Sequence, residues 1–145
     1  MPPPPPTENN DRVTIAGTNP AAGAEVSEAV PAERIWEKFH GIYVTLVTDT
    51  TVISRTVDVI FADASGNELS RVQFATAIPA SQTVKLHLGH WAVVPADTST
   101  NHFRNVDPDL ELGPTDTIKT VTANIQAGDD FGAPTLIVKE QRVHN

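Results

Sequence analysis

The sequence predicts an all-β protein, a single β-sandwich of jelly-roll type with an extended, proline-rich N-terminal arm. The 145 residues suit one domain. They include 17 Thr, 16 Val and 9 Ile against 7 Leu, and such β-branched residues favour strands over helices. With 12 Pro and 8 Gly interrupting the chain, we expect eight to ten short strands at a spacing of roughly ten residues. We place the arm at residues 1–12 and the sandwich at 13–145.

The arm contains five consecutive prolines, Pro2–Pro6, followed by the polar stretch Thr7–Asp11. Such a run favours the polyproline II conformation, with about 3.1 Å per residue and a reach of roughly 15 Å. It cannot join the middle of a sheet, because proline has no backbone N–H to donate. In the free protein such a terminus would be a disordered tail, and in an assembly we expect neighbouring subunits to hold it. The stretch Met1–Asn10 lacks the basic and apolar segments of a signal peptide.

The first half of the sandwich reads as three strands separated by turns. Val13–Ala16 ends at the loop signal Gly17–Pro20, and Ala24–Val30 is a second candidate that stops at Pro31. The segment Arg34–Phe39 has apolar spacing that also fits a helix face. We favour a strand there, because it continues into Ile42–Thr48, where apolar and polar residues alternate.

A hairpin is predicted next. Val52–Phe61 is a strand that places Val57, Val59 and Phe61 on one face. The stretch Asp63–Asn67 is a turn, since its Gly supplies a positive φ and its Asp and Ser bond the loop backbone. It connects to a second strand at Leu69–Thr76.

The second half is predicted as further strands around one long loop. Val84, Leu86 and Leu88 alternate with polar residues, as in a half-buried strand. The other predicted strands are Trp91–Val94, a short strand containing Leu110 and Leu112, the run Thr117–Ile125, and Leu136–Val138. The longest polar stretch, Pro95–Pro108, is predicted to be an exposed loop.

Composition limits the function classes. The chain has 18 acidic and 10 basic residues and a formal net charge of -8, which argues against a nucleic acid or an anionic membrane as partner. It contains no cysteine, so disulfides, thiol nucleophiles and Cys-ligated zinc are excluded. No apolar run approaches the length of a membrane-spanning helix.

Candidate metal ligands are few. His87 and His90 are three residues apart and would face opposite sides of a strand, so we interpret them as a surface pair. The carboxylates Asp107, Asp109 and Glu111 alternate, and on a strand they could face a hard cation such as Ca²⁺ together. The adjacent carboxylates Asp129 and Asp130 could also bind a cation, but we interpret them as solvating a loop. We predict no metal and no cofactor.

Catalytic signatures are absent from the sequence. It has no Gly-x-Ser-x-Gly, no Gly-rich phosphate loop and no His-Glu-x-x-His, so we predict no enzyme and no catalytic residue. Trp36 and Trp91 could form a sugar-stacking platform, but we interpret both as core residues.

Three stretches carry a resemblance to a known family. They are Asn19–Glu25 leading to Val30–Ala32, Thr45–Val52 followed by Arg55, and Ile118–Pro134. They resemble β-rich structural proteins of tailed double-stranded DNA bacteriophages, in particular capsid decoration (cement) proteins with a jelly-roll fold. The resemblance covers most of residues 19–140, and the proline-rich arm departs from it.

The resemblance implies a mechanical, non-catalytic function. Cement proteins bind the outside of the icosahedral shell, usually as homotrimers, and clamp neighbouring capsomers of the major capsid protein against internal pressure. By this resemblance the protein is made in the host cytoplasm and resides on the capsid exterior of the virion. We expect the arm residues Pro2, Pro3, Pro4, Pro5 and Pro6 to contact the partner. A second contact is expected from the long loop, at Asp97, His102, Phe103, Arg104 and Asp107.

Two alternatives stay open at this point. A neck or tail adaptor of the same virion would share the fold and composition. A carbohydrate- or receptor-binding sandwich would show exposed aromatic side chains, Trp91 among them.

Overall fold

The computed structural model describes residues 12–143, which form ten β-strands and no helix. The strands are β1 (Arg12–Ala16), β2 (Ser27–Ala29), β3 (Arg34–Val47), β4 (Arg55–Ala62), β5 (Glu68–Ile78), β6 (Thr83–Gly89), β7 (Asn101–Asn105), β8 (Thr117–Ala123), β9 (Asp130–Phe131) and β10 (Thr135–Arg142). The predicted all-β class is therefore confirmed. The predicted arm, including Pro2–Pro6, lies outside the described residues, except that Arg12 already belongs to β1.

The strands form two sheets that face each other as a sandwich. The larger sheet has the order β1-β10-β3-β6-β7, with β9 also paired to β3, and the smaller sheet has the order β2-β8-β4-β5. The pairs are antiparallel apart from β6 and β7, which run parallel. Among residues 12–143 no helix is long and apolar enough to cross a membrane.

One apolar core lies between the sheets. It is formed by the apolar residues that alternate with polar ones along the strands. Val57, Val59 and Phe61 of β4 are almost completely buried, as predicted. Phe61 contacts Phe39 of β3 edge to face, with ring centroids 5.0 Å apart, so the two sheets meet directly. Burying each such side chain stabilises the fold by about 1.5–3 kcal/mol.

The predicted hairpin between β4 and β5 is confirmed. Asp63 Oδ1 accepts the backbone N–H groups of Ser65 and Asn67, both at 2.9 Å, and Gly66 has a φ of 86°. The hydrogen bonds from Asn67 hold the pKa of Asp63 below its ordinary value. The carboxylate therefore closes a turn. The favoured strand at Arg34–Phe39 is also confirmed, as the first half of β3.

Some strand predictions are too long or wrong. The candidate at Ala24–Val30 forms only the three-residue β2. Trp91–Val94 forms no strand, because the backbone N–H and carbonyl of Trp91 bond to the Asn105 side chain and not to a neighbouring strand. Asn105 accepts the Trp91 N–H at 2.8 Å and donates to its carbonyl at 3.0 Å.

The prediction of an exposed loop over Pro95–Pro108 is also wrong. The segment contains β7, which its polar composition did not indicate. This strand pairs with β6 at the edge of the larger sheet, and its His102 is buried. Asp107 and Asp109 form a turn in which Asp107 Oδ1 accepts the Asp109 N–H at 2.9 Å, so these carboxylates do not line up along a strand. The predicted strand at Leu110 and Leu112 is reduced to one bridge between Leu112 and Trp36.

Candidate functional site

The five residues predicted as a loop contact are separated by the alternation of β7. His102 is buried in the sandwich, whereas Phe103 lies on the outer face of the larger sheet. Asp107 is exposed in the turn that follows. The structure therefore brings together Asp97 and Arg104, but not the whole predicted set.

Asp97 and Arg104 connect the edges of the two sheets. Arg104 Nη1 donates to both carboxylate oxygens of Asp97 at 2.9 Å, and Thr76 of β5 donates its hydroxyl to the same carboxylate. The Arg104 guanidinium also lies 5.7 Å from the centre of the Phe74 ring. Burial alone would raise the pKa of Asp97. The hydrogen bonds from Thr76, the Phe103 backbone and Arg104 outweigh it and hold that pKa below its ordinary value.

His102 lies beside a groove of about 380 Å³ between β5 and the chain leading into β7. Its Nδ1 atom is buried and has no hydrogen-bond partner among residues 12–143. Removal from water lowers the pKa of this imidazole, opposed by the Asp97 carboxylate. At neutral pH the side chain is therefore uncharged.

A row of aromatic side chains crosses the outer face of the larger sheet. Tyr43, His87 and Phe103 occupy directly paired positions on β3, β6 and β7. His87 stacks on Phe103 with a centroid distance of 4.7 Å and an interplanar angle of 12°, and Tyr43 meets His87 edge to face at 5.3 Å. Trp91 closes the row edge-on to Phe103 at 5.7 Å.

Beside this row lies a shallow groove of about 170 Å³, which we call the aromatic groove. It is lined by Tyr43, Trp91, His40, His90, Gly89, Ile137 and Arg12. The indole of Trp91 rests directly on Gly89, where an added Cβ would lie 3.1 Å from the ring. The expectation that Trp91 is a core residue is therefore wrong: it is half-buried on an outer face.

His87 and His90, predicted as a surface pair, contact different residues. His87 belongs to the aromatic row, with Nε2 3.1 Å from Asn101 Oδ1, and His90 faces the His40 ring at 6.0 Å. Within the described chain no three His, Asp or Glu side chains are grouped so as to hold a metal ion. Trp36, the other candidate for a sugar platform, is buried as expected and donates to Glu140 at 3.2 Å.

The structure also contains a buried ionic cluster that the sequence did not reveal. Arg55, at the start of β4, is fully buried. Its Nε and Nη2 donate to the two oxygens of Asp129 at 3.0 Å, and Nη2 also donates to Asp49 Oδ1 at 2.7 Å. Nη1 donates to the carbonyls of Thr51 and Ile53. All five guanidinium donors are therefore satisfied.

Asp129 was expected to solvate a loop, and this expectation is wrong because its side chain is fully buried. Burial alone would raise the pKa of this carboxyl. The Arg55 guanidinium and the backbone N–H groups of Asp49 and Gln126 outweigh burial and hold the pKa below its ordinary value. The one signal in the sequence is Arg55 itself, a charged residue at the start of a strand whose later residues are mostly apolar.

The three stretches Asn19–Glu25, Thr45–Val52 with Arg55, and Ile118–Pro134 meet at this cluster. The second stretch supplies Asp49 and leads to Arg55, and the third supplies Asp129. The first stretch supplies Gly23, whose N–H donates to the Asp129 carbonyl at 2.6 Å, and Glu25. Glu25 accepts hydrogen bonds from the Thr120 hydroxyl and the Thr122 backbone, both at 2.8 Å.

The chain matches no protein-family model and no curated protein sequence. Solved structures with detectable similarity include the VP2 protein of infectious bursal disease virus in derived T=1 particles, at 9% identity and a TM-score of 0.42. They also include the T13 particle of the same virus (12%, 0.42) and its Gt strain (9%, 0.44). The alignments cover 92%, 93% and 94% of this chain but 32%, 36% and 38% of those chains. The chain thus spans about a third of their length.

Proposed function

We propose that this protein is a non-catalytic structural protein of a virion. In the finer form of the proposal it is a decoration protein of a tailed bacteriophage. It binds the outside of the capsid as a homotrimer and holds neighbouring capsomers of the major capsid protein together. Neither nucleic acid nor membrane is a partner, and the protein is made in the host cytoplasm before it joins the shell.

The observation that supports this proposal most is the convergence at Asp129. The three stretches on which the expected resemblance to decoration proteins depends form one hydrogen-bonded network in space. Residues that hold one network must be present together, because losing one partner leaves a buried charge or polar group unsatisfied. The proposal is therefore supported by the finding that the three stretches form one structural unit in this chain.

The Arg55–Asp129–Asp49 network suits a protein that must resist mechanical force. Arg55 connects β4 to the loop after β3 and to the loop before β9, so strands of both sheets are held at one end of the sandwich. Asp97 and Arg104 hold the edge between β5 and β7. The net charge of -8 fits an outer surface away from packaged DNA.

The contacts with the shell remain predictions. Pro2–Pro6 form the first, because a segment already extended loses little conformational entropy on docking. The second is the region around β7. Asp107 and the outward-facing Phe103 are the members of the predicted set best placed for it, since Asp97, His102 and Arg104 make internal contacts or are buried.

A binding experiment with capsids tests the proposal. The purified protein is mixed with capsids that lack it, and bound protein is measured by co-sedimentation. We expect saturable binding at a copy number comparable to the major capsid protein, and weaker binding when Pro2–Pro6 are replaced by serine. Substituting the exposed Arg71 by Met is the matched control and should leave binding unchanged. No binding to complete shells would contradict the proposal.

Two other functions compete with it. A neck or tail adaptor would bind isolated neck or tail assemblies instead of shells. A carbohydrate-binding sandwich is favoured by one specific observation, the half-exposed Trp91 beside Tyr43 on the outer face. Quenching of Trp91 fluorescence by host glycans would support that function.

A further inference from the structure

Two hydrogen-bond donors at the aromatic groove have no partner among the described residues. Neither Trp91 Nε1 nor Tyr43 Oη makes a hydrogen bond to any residue between 12 and 143. Both belong to side chains whose apolar bodies line the groove, and Tyr43 is 37% exposed. A ligand that offers ring surfaces and carbonyl acceptors would satisfy both the apolar and the polar parts of this surface.

A polyproline segment offers both ring surfaces and carbonyl acceptors. A run of prolines presents pyrrolidine rings and backbone carbonyls but no N–H groups, and Pro-rich segments dock in aromatic-lined grooves of other proteins. Because such a segment is already extended, little conformational entropy is lost when it docks.

The chain carries such a run immediately before the groove. Arg12 lines the aromatic groove, and the eleven residues that precede it contain Pro2–Pro6. From Arg12 back to Pro6 the chain can extend roughly 20 Å, at about 3.3 Å per residue. From β1 to β6, three strand spacings across the larger sheet, the distance is about 14 Å at about 4.8 Å per spacing. The prolines can therefore reach the groove of their own subunit.

We infer that the aromatic groove on the outer face of the larger sheet is a docking site for Pro2–Pro6 of this chain, with Tyr43 and Trp91 as its recognition residues. The inference concerns the free protein and does not rest on the proposed function, in which the same prolines leave the groove to contact the shell. In an assembly the arm of one subunit would meet an identical groove on its neighbour, so an exchange of arms between subunits uses the same contacts.

Two tryptophans make the test direct. Trp91 lies in the groove, whereas Trp36 is 2% exposed in the core and serves as an internal reference. The two indole N–H signals are recorded by NMR for the full chain, and for a variant in which each of Pro2–Pro6 is replaced by serine. A control variant carries Glu8→Gln and Asn9→Ser, which alter the arm but keep its prolines.

We expect the proline replacement to shift the Trp91 signal and leave the Trp36 signal in place, while the control variant matches the natural chain. A synthetic peptide of residues 1–10, added to the proline-free variant, should restore the original Trp91 signal, and Tyr43→Ala should weaken that restoration. A Trp91 signal unaffected by both the replacement and the peptide would overturn the inference, as would a groove that responds to glycans but not to the peptide. Dependence of the shift on protein concentration identifies a second copy as the source of the arm.

Discussion

Arg55 and Asp129 are 74 residues apart in the chain and form a two-fold hydrogen-bonded ion pair, with both contacts at 3.0 Å and both side chains fully buried. Asp49 provides the remaining carboxylate at 2.7 Å. The pair connects the start of β4 with the loop before β9, and Asp49 adds the loop after β3.

Replacing Asp129 by Ala should strongly destabilise the protein. The substitution leaves the Arg55 charge buried with one carboxylate instead of two, and breaking a buried pair in this way costs about 3–5 kcal/mol. The free energy of unfolding by urea measures the effect. The exposed ion pair between Arg71 and Asp58 provides the control, and Arg71→Met should cost no more than about 1 kcal/mol. Equal losses from the two substitutions would contradict the assigned role.

Stability should fall in acid partly through Asp129. The pKa of this carboxyl is lower in the folded protein than its unfolded value of about 3.9. Its contribution is therefore complete above that value and is lost as the pH falls through the folded pKa. We expect the stability difference between the natural chain and Asp129→Asn to be constant from pH 7 to about 4 and to shrink below that. Urea unfolding at a series of pH values tests this, and a difference that grows in acid would refute it.

His102 should produce a second pH dependence nearer neutrality. Burial lowers the pKa of its imidazole below the unfolded value of about 6.5, so the folded state binds fewer protons than the unfolded state in this range. Its contribution is present above about pH 6.5 and is lost as the pH falls through the folded pKa. Relative to His102→Gln, the natural chain should lose stability on acidification from pH 7.5. His40, whose pKa is also lowered, is present in both proteins and cancels in the comparison.

Gly89 should be sensitive to the smallest added side chain. A Cβ there would lie 3.1 Å and 3.2 Å from two atoms of the Trp91 indole, so Gly89→Ala must displace that ring. We expect altered Trp91 fluorescence and weaker binding of the peptide of residues 1–10, with the sandwich still folded. Gly113→Ala is the matched control, because its nearest neighbour would be 3.6 Å away. Identical fluorescence in both variants would show that Trp91 does not rest on Gly89.

The local sequence pattern predicts the buried face of β4 and the turn that follows it. The alternation of Val57, Val59 and Phe61 indicated which side of β4 is buried, because strand periodicity depends only on neighbouring residues. The turn at Asp63 was equally readable, since its hydrogen bonds all lie within five residues.

What the sequence could not show depends on partners distant in the chain. The sequence around Asp129 is that of a loop, and its partner Arg55 lies 74 residues away. The sequence of β7 also resembles a loop, because its residues are polar and its pairing with β6 is parallel. The aromatic row depends on the register of three strands, so Tyr43, His87 and Phe103 gave no joint signal in the sequence.

The central claim, that this chain decorates a capsid shell, is tested most directly by its copy number in purified virions. Quantitative mass spectrometry would measure the chain against the major capsid protein in the same particles. The account predicts a number of copies comparable to that of the major capsid protein. A handful of copies per particle would instead place the chain in the neck or tail, and its absence from virions would contradict the claim.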